Sequence, residues 1–231
     1  MITLCPSAER GHFRSEWLDS RHTFSFDTYY DPQQMGFRAL RVINEDWVQP
    51  GHGFPLHRHQ DMEILTFVIE GELRHQDDQG NSGVIGPCQL QRMTAGTGIR
   101  HSEANPSQEQ VVHLLQIWIH PERTGLTPGY EQKSFPGDAH RGLRLLASPD
   151  GRDGSALIHR DVRLYAGTLE AGAILEQPLA PGRHAWLQML GGMLTLAGHR
   201  LQTGDGAAVS DETMLRLQAR ENASFLLFDL D

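Results

Sequence analysis

The stretch FPLHRHQDMEILTFVIEGELRHQD, residues 54–77, decides how this chain is read. Its middle, MEILTFVIE (62–70), is rich in β-branched and apolar residues. Gly71 follows, then a second short run, so the stretch reads strand, tight glycine turn, strand. Two histidines, His57 and His59, stand just ahead of the apolar run with only Arg58 between them. Side chains alternate faces along a strand, so both imidazoles project to the same side.

Outward from this point, β-rich runs separated by Gly, Pro and Asp dominate. They include ALRVINEDWV (39–48), HLLQIWI (113–119), AWLQMLGGMLTLAG (185–198) and SFLLFDL (224–230). The turn signals DDQGN (77–81), TPG (127–129) and GDG (204–206) punctuate them. No long stretch keeps a helical apolar period, although SAERGHFRSEWLDS near the start has room for a short turn. Short, regularly spaced strands predict an all-β barrel or sandwich. The pattern also looks duplicated, because QMLGGMLTLAG in the second half repeats the strand-glycine-strand design of FVIEGELRHQ. The stretch PERTGLTPGYEQKSFPGDAHRG (121–142) then reads as the crossing between two related β units, with a boundary within about 121–150.

A second histidine-containing pair at i, i+2 occurs in GTGIRHSEAN, where His101 and Glu103 flank Ser102. Two such pairs on neighbouring strands can converge on one ion, offering three imidazoles and one carboxylate. That donor set suits divalent first-row metals from Mn and Fe through Ni and Cu to Zn. Four ligands on an octahedral ion leave positions for substrate, water or oxygen.

Composition narrows the partners. The chain has 231 residues, 39% hydrophobic and 21% charged, ordinary for a globular protein. Its formal net charge of −9, with no basic run, argues against direct nucleic-acid binding. No window approaches the ~18 apolar residues of a membrane span, and MITLCPSAERGHF shows no secretory pattern. Cys5 and Cys88 are too few for a disulfide framework, so a reducing, cytoplasmic location is expected.

The spacing Gly51-x5-His57-x-His59-x3-Glu63, with Gly71 closing the next strand, resembles the first cupin motif, and Gly98-x2-His101-x3-Asn105 resembles the second. The phrases HTFSFDTYYDP (22–32), HRHQDMEILTFVIEGELRHQD and MTAGTGIRHSE (93–103) are similar to the pirin family, in its bacterial quercetinase-like branch. The likeness is dense over 16–131 and weaker after about 155. It implies two tandem cupin (jelly-roll) β-barrels with few short helices: a metal-binding barrel over 1–140 and a degenerate barrel without metal over 141–231. It carries the ligand role onto His57, His59, His101 and Glu103, and gives Glu63 the supporting task of orienting a ligating imidazole.

In the second half, laying Gly71 over Gly192 puts Pro178 and Ala180 at the positions of His57 and His59, and leaves His159, His184 and His199 as scattered surface residues. Phe54, Met93, Ile99 and Ile117 are candidates for an apolar pocket wall, His52 for the pocket mouth, and Arg100 for guiding an anion.

The resemblance implies a metal-dependent dioxygenase with one divalent ion (Fe, Mn, Co, Ni, Cu or Zn). It would open the heterocycle of a flavonol such as quercetin with O2 and release CO. Glu103 would then serve as catalytic base as well as ligand. The competing expectation is a non-catalytic metal- or redox-sensing module that meets a regulator or metabolic enzyme, which leaves a protein partner open. A third is a closed zinc staple with no room for substrate.

Overall fold

The computed structural model describes residues 1–135 and 142–231. The boundary expected between 140 and 141 lies outside the described residues. By compactness the chain forms two units. One is Gly11–Phe135 with Ala156–Arg160; the other gathers Met1–Arg10, residues 142–155 and Asp161–Asp231. The strand Ile2–Cys5 therefore belongs with the second unit, where Ile2 pairs with Val209.

The first unit has two antiparallel sheets. The larger runs, in spatial order, Gly129–Ser134, Gln89–Thr94, Glu63–Glu70, Val112–Ile119, Leu40–Val48, Leu18–His22, Gly11–Arg14. The smaller runs Gly53–His59, Ile99–Ala104, Leu73–Asp77, Ser82–Ile85. The apolar runs legible in the sequence become the central strands of the larger sheet, with Ile117 registered between Leu65 and Ile43. Val48, Val68, Leu73, Ile85, Val112 and Leu114 form a core drawn from both sheets.

The strand Gly129–Ser134 falls inside the stretch read as a crossing, and corrects that expectation over its length. GYEQKS lacks an apolar signal because it is an edge strand, paired among the described residues with Gln89–Thr94 alone and only partly buried.

The second unit repeats the plan. Its larger sheet includes Ile2–Cys5, Gly206–Val209, His184–Gly191, Ala223–Leu230, Val162–Leu169 and Gly142–Ser148 in that order. Its smaller sheet runs Ile174–Pro178, Met214–Ala219, Met193–Leu196, His199–Gln202. The two turn glycines mark the duplication physically. Gly71 has φ +76° and Gly192 φ +70°, and a Cβ would fall 2.9 Å from the Val111 carbonyl oxygen at the first and 1.9 Å from that of Asn222 at the second. Only glycine combines the left-handed backbone with so close an approach. Helix is confined to two three-residue 3-10 turns, Ser7–Glu9 and Arg152–Gly154, among the described residues. No helix among them is long and apolar enough to cross a membrane.

Candidate metal centre

The smaller sheet of the first unit positions the histidines. Along Gly53–His59, His57 and His59 are half-buried while Leu56 and Arg58 between and beside them are exposed, the alternation that a strand imposes. His101 lies directly across from His57, whereas Glu103 pairs with Phe54 because the register shifts between His101 and Glu103. On its other side the strand pairs His101 with Asp77 and Glu103 with His75.

The three imidazoles converge. Ring centroids stand 4.7 Å apart for His57 and His59, 4.4 Å for His57 and His101, and 4.9 Å for His59 and His101. One donor atom from each lies within 4.8 Å of the others. Glu103 falls in a second such group, with His101 and His75, so His101 joins the two. His75 was not among the residues singled out in the sequence. Its signal was its position in LRHQD, two residues after Leu73 and hence on the same inward face.

These donors fit a divalent ion. The Nδ1–H of His57 donates to the Pro55 carbonyl at 2.8 Å, which leaves Nε2 for a metal. The Nε2 of His101 is buried with no hydrogen-bond partner among the described residues. Burial, reinforced by the charge of His57, pushes His59 down to about 4, and burial with the neighbouring imidazoles pushes His101 down to about 2. Both rings therefore keep their lone pairs at neutral pH, as metal ligands must.

Glu103 is buried and hydrogen-bonded on both oxygens. Gln116 Nε2 donates to Oε2 at 2.5 Å, and Gln91 Nε2 donates to Oε1 at 3.2 Å with the Thr66 hydroxyl at 3.4 Å. Burial nevertheless raises its carboxyl to about 7, and the charge of Asp46 adds to the rise. Gln91, Gln116 and Thr66 were not anticipated. Thr66 and Gln116 are polar residues inside strand-like apolar runs, whereas Gln91 sits in the largely polar QLQRMT; all three are buried, and a buried polar side chain needs a partner.

A cavity of about 330 Å³ opens onto the imidazoles and Glu103. Its apolar walls include Trp17, Leu18, Phe26, Phe54 and Trp118, and Trp118 meets His59 edge-on at 4.8 Å. Of the wall candidates read from sequence, Phe54 lines the cavity, while Met93 and Ile99 are buried in a core with Ile64, and Ile117 is fully buried. His52 is exposed and stacks on Trp17, and Arg100 is exposed. Asn105 clamps a loop, donating to the carbonyls of Val48 and Gln110.

Glu63 corrects an expectation. It is fully buried, but its Oε1 stands 3.3 Å from Nδ1 of His159, not beside one of the three clustered imidazoles. Glu63 opens its strand opposite Thr94, at the end remote from the Glu70 turn. His159 is thus a half-buried partner of Glu63 and not a solitary surface residue.

Comparison with known proteins finds relatives along the whole chain. Residues 6–119 match the Pirin family, and residues 145–230 match the quercetinase C-terminal cupin domain. The chain is 49% identical to a quercetin 2,3-dioxygenase of Escherichia coli strain K12, over 100% of this chain and 99% of that protein. A putative quercetin 2,3-dioxygenase of Pasteurella multocida is 45% identical, with 100% of both chains covered. The crystal structure of the bacterial pirin YhhW from Escherichia coli in complex with nickel(II) superposes with a TM-score of 0.96 at 49% identity, covering 100% of this chain and 99% of that one.

Proposed function

This chain belongs to the pirin family, and on that premise we propose that it is a metal-dependent dioxygenase that opens the heterocycle of a flavonol such as quercetin with O2 and releases CO. The observation that carries the proposal is the placement of three imidazoles and a buried carboxyl at one cavity whose walls are mainly aromatic and apolar. In this reading His57, His59, His101 and Glu103 hold one divalent ion. Nickel is a direct candidate, given the relative crystallised with it.

A bound ion supplies Lewis-acid stabilisation of negative charge on a substrate oxygen. The protein's own groups do the rest. Glu103, poised at about 7, accepts the proton of the flavonol 3-hydroxyl near neutral pH, where a base of matched pKa works best. Gln91 and Gln116 keep the carboxylate aimed by donating to its two oxygens. The aromatic walls take a flat, uncharged ring system and keep water away from it. The volume sits near the lower end of the about 300–1,000 Å³ usual for small-molecule sites. Cys5 and Cys88 are both free, in keeping with a cytoplasmic setting.

The test is an aerobic assay with quercetin on protein loaded separately with Fe, Mn, Co, Ni, Cu and Zn. Metal-dependent flavonol loss with matching CO is expected, together with a fall of about 10²–10⁴ in rate for Glu103→Gln. No turnover with any ion at confirmed occupancy would reject the flavonol reaction and favour a sensing role.

A further inference from the structure

Behind His101 runs a buried chain of polar groups that the proposed reaction does not use. We propose that Asp77 and His75 fix His101 in the tautomer protonated on Nδ1, so that its Nε2 lone pair is held towards the ion. His75 is then a positioning residue and not a ligand. The inference rests on His57, His59 and His101 holding the metal.

The chain follows from donors and acceptors. The side chains of His75 and Asp77 are both fully buried, with Nε2 of His75 3.1 Å from Oδ2 of Asp77. A carboxylate only accepts, so Nε2 of His75 carries the proton and donates. The carboxylate is itself fixed, accepting from the backbone N–H groups of Gln79 at 3.0 Å and Asn81 at 2.9 Å, and from the Asn81 amide at 2.9 Å. With its proton on Nε2, neutral His75 offers Nδ1 as an acceptor. Among the described residues, the nitrogen that meets it is Nδ1 of His101, at 3.3 Å. His101 must therefore be the donor there, which strips Nε2 of its proton. That Nε2 is the atom left buried and unpartnered.

Tyr130 fixes the ring plane of His75, stacking at 4.7 Å with an interplanar angle of 23°. An outer hydrogen-bond partner of this kind sets both the tautomer and the orientation of a ligating histidine. The competing arrangement is an ion among His75, His101 and Glu103, whose donor atoms also lie close together. An ion bound there through either Nδ1 atom would break the chain.

The test compares nickel(II) affinity, by chelator competition, for wild type, His57→Ala, His75→Leu and His75→Gln, with ¹⁵N NMR of the imidazoles in the metal-free proteins. Leucine is a fair replacement, since Leu196 occupies the matching strand position of the second unit. We expect His75→Leu to keep one ion per chain but bind it about 10–100-fold more weakly. His75→Gln should recover most of that loss, because its amide oxygen can accept the Nδ1 proton of His101. The NMR spectrum should show His101 protonated on Nδ1 in wild type and mixed between nitrogens in His75→Leu. Unchanged affinity in His75→Leu, equal loss in the leucine and glutamine variants, or loss of the ion itself in both would overturn the inference. Failure of the underlying metal assignment looks different: wild type would not bind nickel tightly, or His57→Ala would bind it as well as wild type.

Discussion

The smaller sheets of the two units share one plan and differ in what they enclose. Register pairs His101 with His57 in the first and Leu215 with Gln177 in the second. Glu103 faces His75 in the first, and Leu217 faces Leu196 in the second. The next inward position, held by His59, corresponds to Leu179, whose N–H bonds the Thr213 carbonyl. Three imidazoles, a carboxylate and a supporting histidine are thus matched by one glutamine and four leucines. Those leucines join a core with Leu187, Leu194 and Phe225. One sheet face has been spent on chemistry and its duplicate on cohesion. Burying a leucine is worth roughly 1.5–3 kcal/mol, while burying ionisable groups lowers stability unless they are neutral or paired.

The comparison breaks first at the ligands. His57→Ala and His101→Ala should each take metal content from about one ion per chain to near zero, measured by elemental analysis after dialysis. Full occupancy in either variant would remove that residue from the site.

The converse substitution tests the other sheet. Leu215→Ala and Leu217→Ala should each cost about 2–5 kcal/mol of stability by leaving a cavity, and leave nickel stoichiometry as in wild type. Urea unfolding with metal analysis reads both. A loss of bound nickel at unchanged stability would mean that the second unit takes part in holding the ion.

Acidification should separate the sheets next. His59 and His101 lie below the ordinary histidine value of 6.5 when folded, so the unfolded chain takes up those protons first. Their contribution is complete above about 6.5 and drains away as the pH falls towards 4. Glu103 opposes them: raised from 4.5 to about 7, it contributes most below 4.5 and loses that contribution as the pH climbs through 7. Two imidazoles against one carboxyl leave a net loss of stability in metal-free protein from pH 6.5 downwards. Its urea midpoint should therefore be lower at pH 5 than at pH 7, with a smaller drop in His59→Leu. An equal drop in the variant would show that the acid sensitivity arises elsewhere.

The smallest effect belongs to Glu63. Because it partners His159 and not the clustered imidazoles, Glu63→Gln should change stability by no more than about 1 kcal/mol and leave metal affinity unaltered. A tenfold weakening in a chelator titration would restore it to a role beside the ligands.

Much of this was legible in the chain. MEILTFVIE and HLLQIWI announced central strands because both faces of those strands are buried and the apolar run is nearly continuous. His57-x-His59 and His101-x-Glu103 announced the site because strand alternation is a local rule. GYEQKS was missed because an edge strand needs little apolar character. The positions matching His57 and His59 in the second unit were misplaced by one residue, to Pro178 and Ala180, which are exposed. Counting back from Gly192 assumes equal spacing, and the second unit has one more residue between that strand and its glycine turn.

By itself, then, the sequence determined the all-β class, the duplication, the paired donors and the family likeness, all of which follow from alternation, turn chemistry and spacing within a few residues. Only the tertiary structure decided which strands lie side by side. That pairing set His75 against His101, turned Gln91 and Gln116 onto Glu103, gave Glu63 to His159 and placed Ile2–Cys5 in the second unit's sheet. These contacts join residues far apart in the chain, and no local pattern records a register between distant strands.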